Sequence, residues 1–171
     1  MIITGGIYKG RKILAPSEKI TRPTLSKTRQ GVFNTLYSLL GDFNNKTFLD
    51  VFGGSGIMGL EALSRGFKEV YTFEKNITAA QILKKNYISL GLKPNIKIGD
   101  SLKLIKQIDQ SFDVIYIDPP YYSNIYENIF NNLPNADIII VEHTEPINIT
   151  NFSLIKEKNY GDKLITFLKN K

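Results

Sequence analysis

Apolar and polar positions follow two different rhythms along this chain. Between Ser26 and Leu40 the residues Val32, Phe33, Leu36, Leu39 and Leu40 recur at helical spacing, and Gly41 ends the pattern. This is one face of a helix closed by a glycine stop. From Thr47 onward, short β-type runs alternate with helical ones. TFLDVF (47–52) predicts a strand that leads through a glycine loop to a helix holding Leu60, Ala62 and Leu63. EVYTFE (69–74) predicts the next strand, followed by a helix over 77–90. NIKIGD (95–100) is a third strand before a helix over 102–108, and FDVIYID (112–118) is a fourth. A short helix near 125–133 leads to ADIIIVE (136–142). SLIKEK (153–158) and KLITFL (163–168) lie close enough together to pair as a hairpin.

Strands alternating with helices imply right-handed βαβ crossovers and a mainly parallel sheet. The closing hairpin must be antiparallel, because a short turn cannot join parallel strands. The expected fold is therefore α/β: a single-domain, Rossmann-like, doubly wound sheet with an antiparallel C-terminal hairpin strand. Residues 1–24 break this rhythm with short apolar pieces around Gly5, Gly6 and Gly10. They predict a small N-terminal β-hairpin or irregular arm, which leaves 25–171 as the main domain.

Length agrees with one buried core, since 171 residues are too few for two comfortable domains. No apolar run approaches the roughly 20 residues of a membrane span, and the first residues lack the layout of a signal peptide. Zero cysteines exclude disulfides and thiolate metal sites, and suit a cytoplasmic protein. A single histidine, His143, argues against a histidine-rich metal site, so no metal is expected. Charge becomes informative once it is located. Residues 1–40 carry seven basic side chains and one acidic one, whereas the remaining 131 carry fifteen of each. The whole net charge of +6 therefore sits in the N-terminal quarter. A polyanion-facing arm follows, with Lys9, Arg11 and Lys12 as candidate RNA contacts.

The glycine loop carries the first candidate chemistry. Gly54, Gly56 and Gly59 spell G-x-G-x-x-G between strand and helix, a pattern open to a dinucleotide site, a nucleoside site or a tight turn. Two acids narrow the choice. Asp50 precedes the loop at the strand end, where an acid would oppose a pyrophosphate but suit a cationic amine or sulfonium. Glu74 ends the next strand, where a carboxylate can bind a ribose diol. S-adenosylmethionine unites sulfonium, ammonium and ribose, and is the expected cofactor. Asp100 closes the third strand, either near the adenine or as a helix N-cap aided by Ser101. Glu61 and Arg65 are read as an ordinary i,i+4 ion pair.

A second acid lies in a stiff corner, Asp118-Pro119-Pro120-Tyr121, directly after the apolar run VIYI. An exocyclic amine on a nucleobase is a weak nucleophile because its lone pair is delocalised. Asp118 and the Pro119 carbonyl can accept its two hydrogens and free that lone pair. Prolines hold φ near −65° and offer no N–H to compete. Tyr121 presents a face for base stacking, worth roughly 1–3 kcal/mol, against an unstacking cost of a few kcal/mol.

These residues resemble a known family. The D-P-P-Y corner with D-x-F-x-G-x-G upstream is similar to amino-methyltransferases acting on exocyclic base nitrogens. GGIYKGRKI (5–13), RPT (22–24), KTRQGVFNTL (27–36) and GLEALSRG (59–66) resemble the RsmD-type 16S rRNA (guanine-N2)-methyltransferase family. The resemblance runs from Ile3 through Tyr121, with a fainter echo at Tyr160-Gly161-Asp162. It implies a class I methyltransferase fold and transfer of a methyl group from S-adenosylmethionine to the N2 of one guanine in 16S rRNA. The implied partner is a partly assembled 30S particle, met by a monomer away from any membrane. On this likeness Asp118, Pro119, Pro120 and Tyr121 form the catalytic corner. The cofactor set is Asp50, Phe52, Gly54, Ser55, Gly56, Glu74, Lys75, Asp100 and Ser101. Arg22, Thr24, Arg29 and Asn34 belong to the entrance segment between cofactor and RNA. This chain has Gly53-Gly54 where the family usually shows Ala-Gly, and Tyr121 where many members carry Phe. Two alternatives stand beside this reading: a DNA adenine-N6 or cytosine-N4 methyltransferase, and an inert RNA-binding assembly factor. The absence of a large recognition insertion argues against the first, and the intact corner against the second.

Overall fold

The computed structural model describes residues 1–17, 25–120 and 125–171. The elements run α1 (Ser26–Leu40), β1 (Thr47–Asp50), α2 (Ile57–Ser64), β2 (Glu69–Glu74), α3 (Ile77–Ser89), β3 (Asn95–Ile98), α4 (Ser101–Leu104), β4 (Phe112–Ile117), α5 (Ile125–Phe130), β5 (Ala136–His143), β6 (Phe152–Tyr160) and β7 (Lys163–Asn170). A single 3₁₀ turn, Ile105–Gln107, extends α4, so the helix expected over 102–108 is in fact two shorter pieces.

The strands form one seven-stranded sheet in the order β3-β2-β1-β4-β5-β7-β6. β1 to β5 pair in parallel, whereas β7 runs antiparallel to both β5 and β6. Parallel strands covered on both faces read as continuous apolar runs, which explains VIYI in β4 and IIIV in β5. Their alternate residues divide between two cores. Phe48, Val114, Tyr116, Ile138, Ile140, Ile165 and Phe167 face one layer, packed with Val32, Phe33, Leu60, Leu83 and Tyr87 of α1 to α3. Leu49, Ile115, Ile117, Ile139, Val141 and Leu168 face the other, packed with Ile105, Ile129 and Phe130. Full burial of each such side chain contributes about 1.5–3 kcal/mol before entropy is counted.

The chain order reverses between β1 and β4. In open α/β sheets ligands bind in the crevice outside the carboxyl ends of the strands at such a switch point. Asp50 ends β1 and Asp118 follows β4, so the two acids flank that crevice. The first residues form a hairpin-like pair, with an Ile2–Lys12 antiparallel bridge and an Ile3 N–H bonded to the Arg11 carbonyl at 3.0 Å. Ile3 and Ile13 are buried in the same core as α1, so this segment is docked against the sheet domain. No helix among the described residues is long and apolar enough to cross a membrane.

Candidate active site

The loop after β1 is shaped by glycines. A Cβ at Gly53 would lie 2.2 Å from the Thr72 methyl, so β2 leaves no room for the alanine usual in the resembled family. Gly56 has φ +80° and a Cβ there would meet Leu83 at 2.7 Å, and this residue is the N-cap of α2. The Gly53 N–H donates to the Phe73 carbonyl at 2.8 Å, and the Gly54 N–H donates to Glu74 Oε2 at 2.7 Å. Glu74 Oε1 accepts the Asn76 N–H at 2.7 Å. The loop is thereby fixed to the end of β2, with the Glu74 carboxylate beside it.

Asp50 is only 1% exposed. Its Oδ1 accepts the Phe52 N–H at 3.3 Å, and no cation pairs with it among the described residues. Burial pushes its carboxyl up from 3.8 to about 8; the Phe52 hydrogen bond opposes the rise, and the charges of Asp118, Glu74 and Glu142 add to it. A buried carboxylate among other acids costs free energy until a cation joins it. This chemistry fits an ammonium or sulfonium and disfavours a phosphate.

Across the crevice, Asp118 is 18% exposed in its side chain, Pro119 is buried and Pro120 is exposed. The carboxylate therefore sits at the rim, reachable from outside. Tyr121 lies outside the described residues. Lys163 Nζ stands 3.5 Å from Asp118 Oδ1 and donates to Glu142 Oε2 at 2.6 Å. Tyr116 donates its hydroxyl to Glu142 Oε1.

Comparison with known proteins identifies the family of the chain. Residues 1–169 match the family described as Conserved hypothetical protein 95. The ribosomal RNA small subunit methyltransferase D of Haemophilus influenzae is 34% identical over 93% of the chain and 88% of its own length. The chain belongs to this family. The protein of the same name from Escherichia coli is 31% identical, covering 93% of the chain and 84% of the relative. The solved structure of yhhF from Escherichia coli superposes with a TM-score of 0.86 at 27% identity, covering 100% of this chain and 98% of that one.

For this methyltransferase, the remaining expected cofactor residues fall at the same end of the sheet, but several have their polar atoms engaged elsewhere. Asp100 caps α4 by accepting the Leu102 N–H at 3.0 Å. Its other oxygen meets Lys75 at 3.1 Å, and Lys75 with that cap holds its carboxyl below the usual range. The N-cap alternative is therefore realised, and Lys75 is a surface partner of Asp100. Ser101 Oγ donates to the Val51 carbonyl at 2.7 Å, and Ser55 Oγ accepts the Ile57 N–H at 3.3 Å. Both hydroxyls serve the backbone that shapes the site. Phe52 is half-buried beside Asp50 and packs against the core on the opposite side of the sheet from α1.

Of the residues assigned to RNA, Lys9, Arg11, Lys12 and Asn34 are exposed. Arg22 and Thr24 lie outside the described residues. Arg29 requires a correction, because it is 1% exposed and cannot serve as a surface contact. Its Nε donates to Glu61 Oε1 at 3.2 Å and its Nη2 to the Ile2 carbonyl at 2.7 Å. Glu61 also accepts from the Thr4 N–H at 2.7 Å and pairs with Arg65 at 3.3 Å. Arg29 is therefore an internal clamp that ties the N-terminal segment to α1 and α2. Asn86 is a second clamp that the sequence reading missed: it bonds both Leu14 backbone groups and the Ser55 carbonyl. Its position in a helix of otherwise ordinary pattern carried no signal. His143 is a tie between strands, bonded to Thr166 and to the Glu145 carbonyl.

Proposed function

We propose that this chain transfers a methyl group from S-adenosylmethionine to the exocyclic N2 amine of a guanine in 16S rRNA, on a partly assembled 30S subunit. One observation carries the reading: a buried carboxylate lacking a cationic partner among the described residues, Asp50, faces a rim carboxylate, Asp118, across the switch-point crevice. The first suits a cationic cofactor, and the second suits an amine entering from outside. The ribosomal RNA named in the relatives supports RNA as the acceptor, as does the basic N-terminal segment. Guanine N2 and the 30S setting rest on the family likeness.

When bound, the cofactor would supply a methyl group activated by its sulfonium, the S–CH₃ electron pair staying with sulfur as the amine takes the methyl and its proton is released to solvent. The protein's task is placement. Asp50 would accept from the ammonium of the amino acid portion, whose positive charge would favour the ionised carboxylate. Glu74 has lone pairs beyond the two backbone bonds it accepts, and these suit ribose hydroxyls. Asp118 and the Pro119 carbonyl accept the two hydrogens of the incoming amine, concentrating the nitrogen lone pair toward the methyl carbon. Stacking on the extruded base is the role proposed for Tyr121, which lies outside the described residues. Calorimetric titration of the purified protein with S-adenosylmethionine tests the cofactor half, and absence of binding would end the proposal. Asp118→Ala tests the other half. Turnover should fall about 10²–10³-fold, as on loss of one transition-state hydrogen-bond partner, while donor affinity stays unchanged.

A further inference from the structure

The closing hairpin brings a cation to the catalytic rim. β7 begins at Lys163, directly after a turn in which Gly161 has φ +69°. Along β7, Lys163 shares parity with Ile165 and Phe167, which face the α1–α3 core. Tyr116 and Ile140 face that same layer, so by strand alternation Asp118 and Glu142 belong to it too. The two carboxylates each come one residue after the paired Ile117 and Val141. Such neighbours repel one another. Lys163 answers both, at 3.5 Å from Asp118 and 2.6 Å from Glu142. Glu142 is itself 1% exposed and anchored by the Tyr116 hydroxyl. The lysine is only 11% exposed, so its head group is held by the buried pair on one side while touching the rim acid on the other.

We propose that Lys163, braced by Glu142 and Tyr116, is a positioning residue that holds the Asp118 carboxylate aimed at the incoming amine. It approaches Asp118 at Oδ1, and a carboxylate offers about four lone-pair sites, so pairing with one cation does not by itself exclude a substrate N–H. Near Asp118, the described residues include Asp50 from β1, Tyr116 from β4, Glu142 from β5 and Lys163 from β7, and of these four Lys163 is the cation. The proposal rests on the assignment of Asp118 to the amine.

The test compares Lys163→Met with Asp118→Asn in methyl transfer to 30S particles, with donor affinity measured by calorimetry. Lys163→Met should lower kcat about 10- to 100-fold, the scale of a small misplacement in the site, and leave KM for the particle and donor affinity within twofold. Wild-type kcat in Lys163→Met, with Asp118→Asn inactive, would overturn the role of Lys163 alone. Full activity in Asp118→Asn would overturn the corner reading instead. The chain has no cysteine, so Lys163→Cys can be alkylated at one site with 2-bromoethylamine to rebuild an ammonium of similar length. Recovery of most activity is expected, and failure to recover in a folded, donor-binding protein would count against the charge. Should Lys163→Met fail to fold, the double variant Lys163→Met, Glu142→Gln removes the stranded buried charge. It should show the same kcat loss, and undiminished kcat there would refute the proposal. Independently of activity, the Lys163 ammonium resonance in ¹⁵N spectra of the ligand-free protein should move on Asp118→Asn, and an unmoved signal would contradict the contact.

Discussion

Replacing Asp50 with asparagine should make the ligand-free protein more stable and at the same time weaken its hold on the donor. Burial lifts the Asp50 carboxyl from 3.8 to about 8 in the folded chain. Because the folded value lies above the unfolded one, the folded state keeps a proton that the unfolded state has released between those pH values. The stability linked to Asp50 is therefore greatest below pH 4 and is lost as pH rises toward 8. At about 1.4 kcal/mol per pH unit, the loss reaches about 5–6 kcal/mol by pH 9, before relaxation around the charge reduces it. Asparagine keeps an oxygen for the Phe52 N–H, now 3.3 Å from Asp50, and carries no charge to desolvate. Urea unfolding of both ligand-free proteins at pH 5, 7 and 9 reads the effect. The variant's lead should widen by at least about 2 kcal/mol between pH 5 and pH 9. Donor affinity should fall by about 10- to 100-fold, the scale of a lost charge-assisted hydrogen bond. Parallel pH profiles would refute the claim that the fold holds Asp50 neutral. Unchanged donor affinity would detach Asp50 from the cofactor.

Other predictions concern the N-terminal quarter. Arg29→Met leaves Glu61 buried with Arg65 as its remaining guanidinium partner, and should cost about 3 kcal/mol in urea unfolding. A cost below about 1 kcal/mol would mean that the clamp is dispensable. Neutralising Lys9, Arg11 and Lys12 together should weaken RNA binding and flatten its salt dependence by roughly one unit of slope per lost phosphate contact. An unchanged slope would show that the segment touches no phosphate. Gly53→Ala places a methyl 2.2 Å from Thr72 Cγ2 and should destabilise by about 1–3 kcal/mol, with Thr72→Ser in the same chain recovering part of the loss.

The centre of the sheet was legible because β4 and β5 are buried on both faces, so their residues need not alternate with polar ones and stand out as VIYI and IIIV. The acids at the strand ends were legible for a related reason. A carboxylate directly after a buried run is costly, and Asp50, Glu74 and Asp118 occupy such positions. Arg29 was misread because its partner Glu61 lies far along the chain, and a basic residue in a basic segment looks like a surface contact. The Glu61–Arg65 pair was visible at i,i+4 spacing, whereas the third and fourth members of that cluster depend on tertiary packing. Lys163 was invisible for the same reason. Its meaning arises only when the hairpin folds back and sets β7 beside β5, two strands from Asp118.

Methyl transfer to a guanine of 16S rRNA, as proposed, can be read directly. The most direct measurement supplies S-adenosylmethionine with a labelled methyl group to the purified protein and 30S particles from cells lacking it, then digests the RNA and identifies the modified nucleoside. The account predicts label in N2-methylguanine at a single 16S position, and none with Asp118→Ala. Label in another nucleoside, in DNA alone, or undiminished with Asp118→Ala would contradict it.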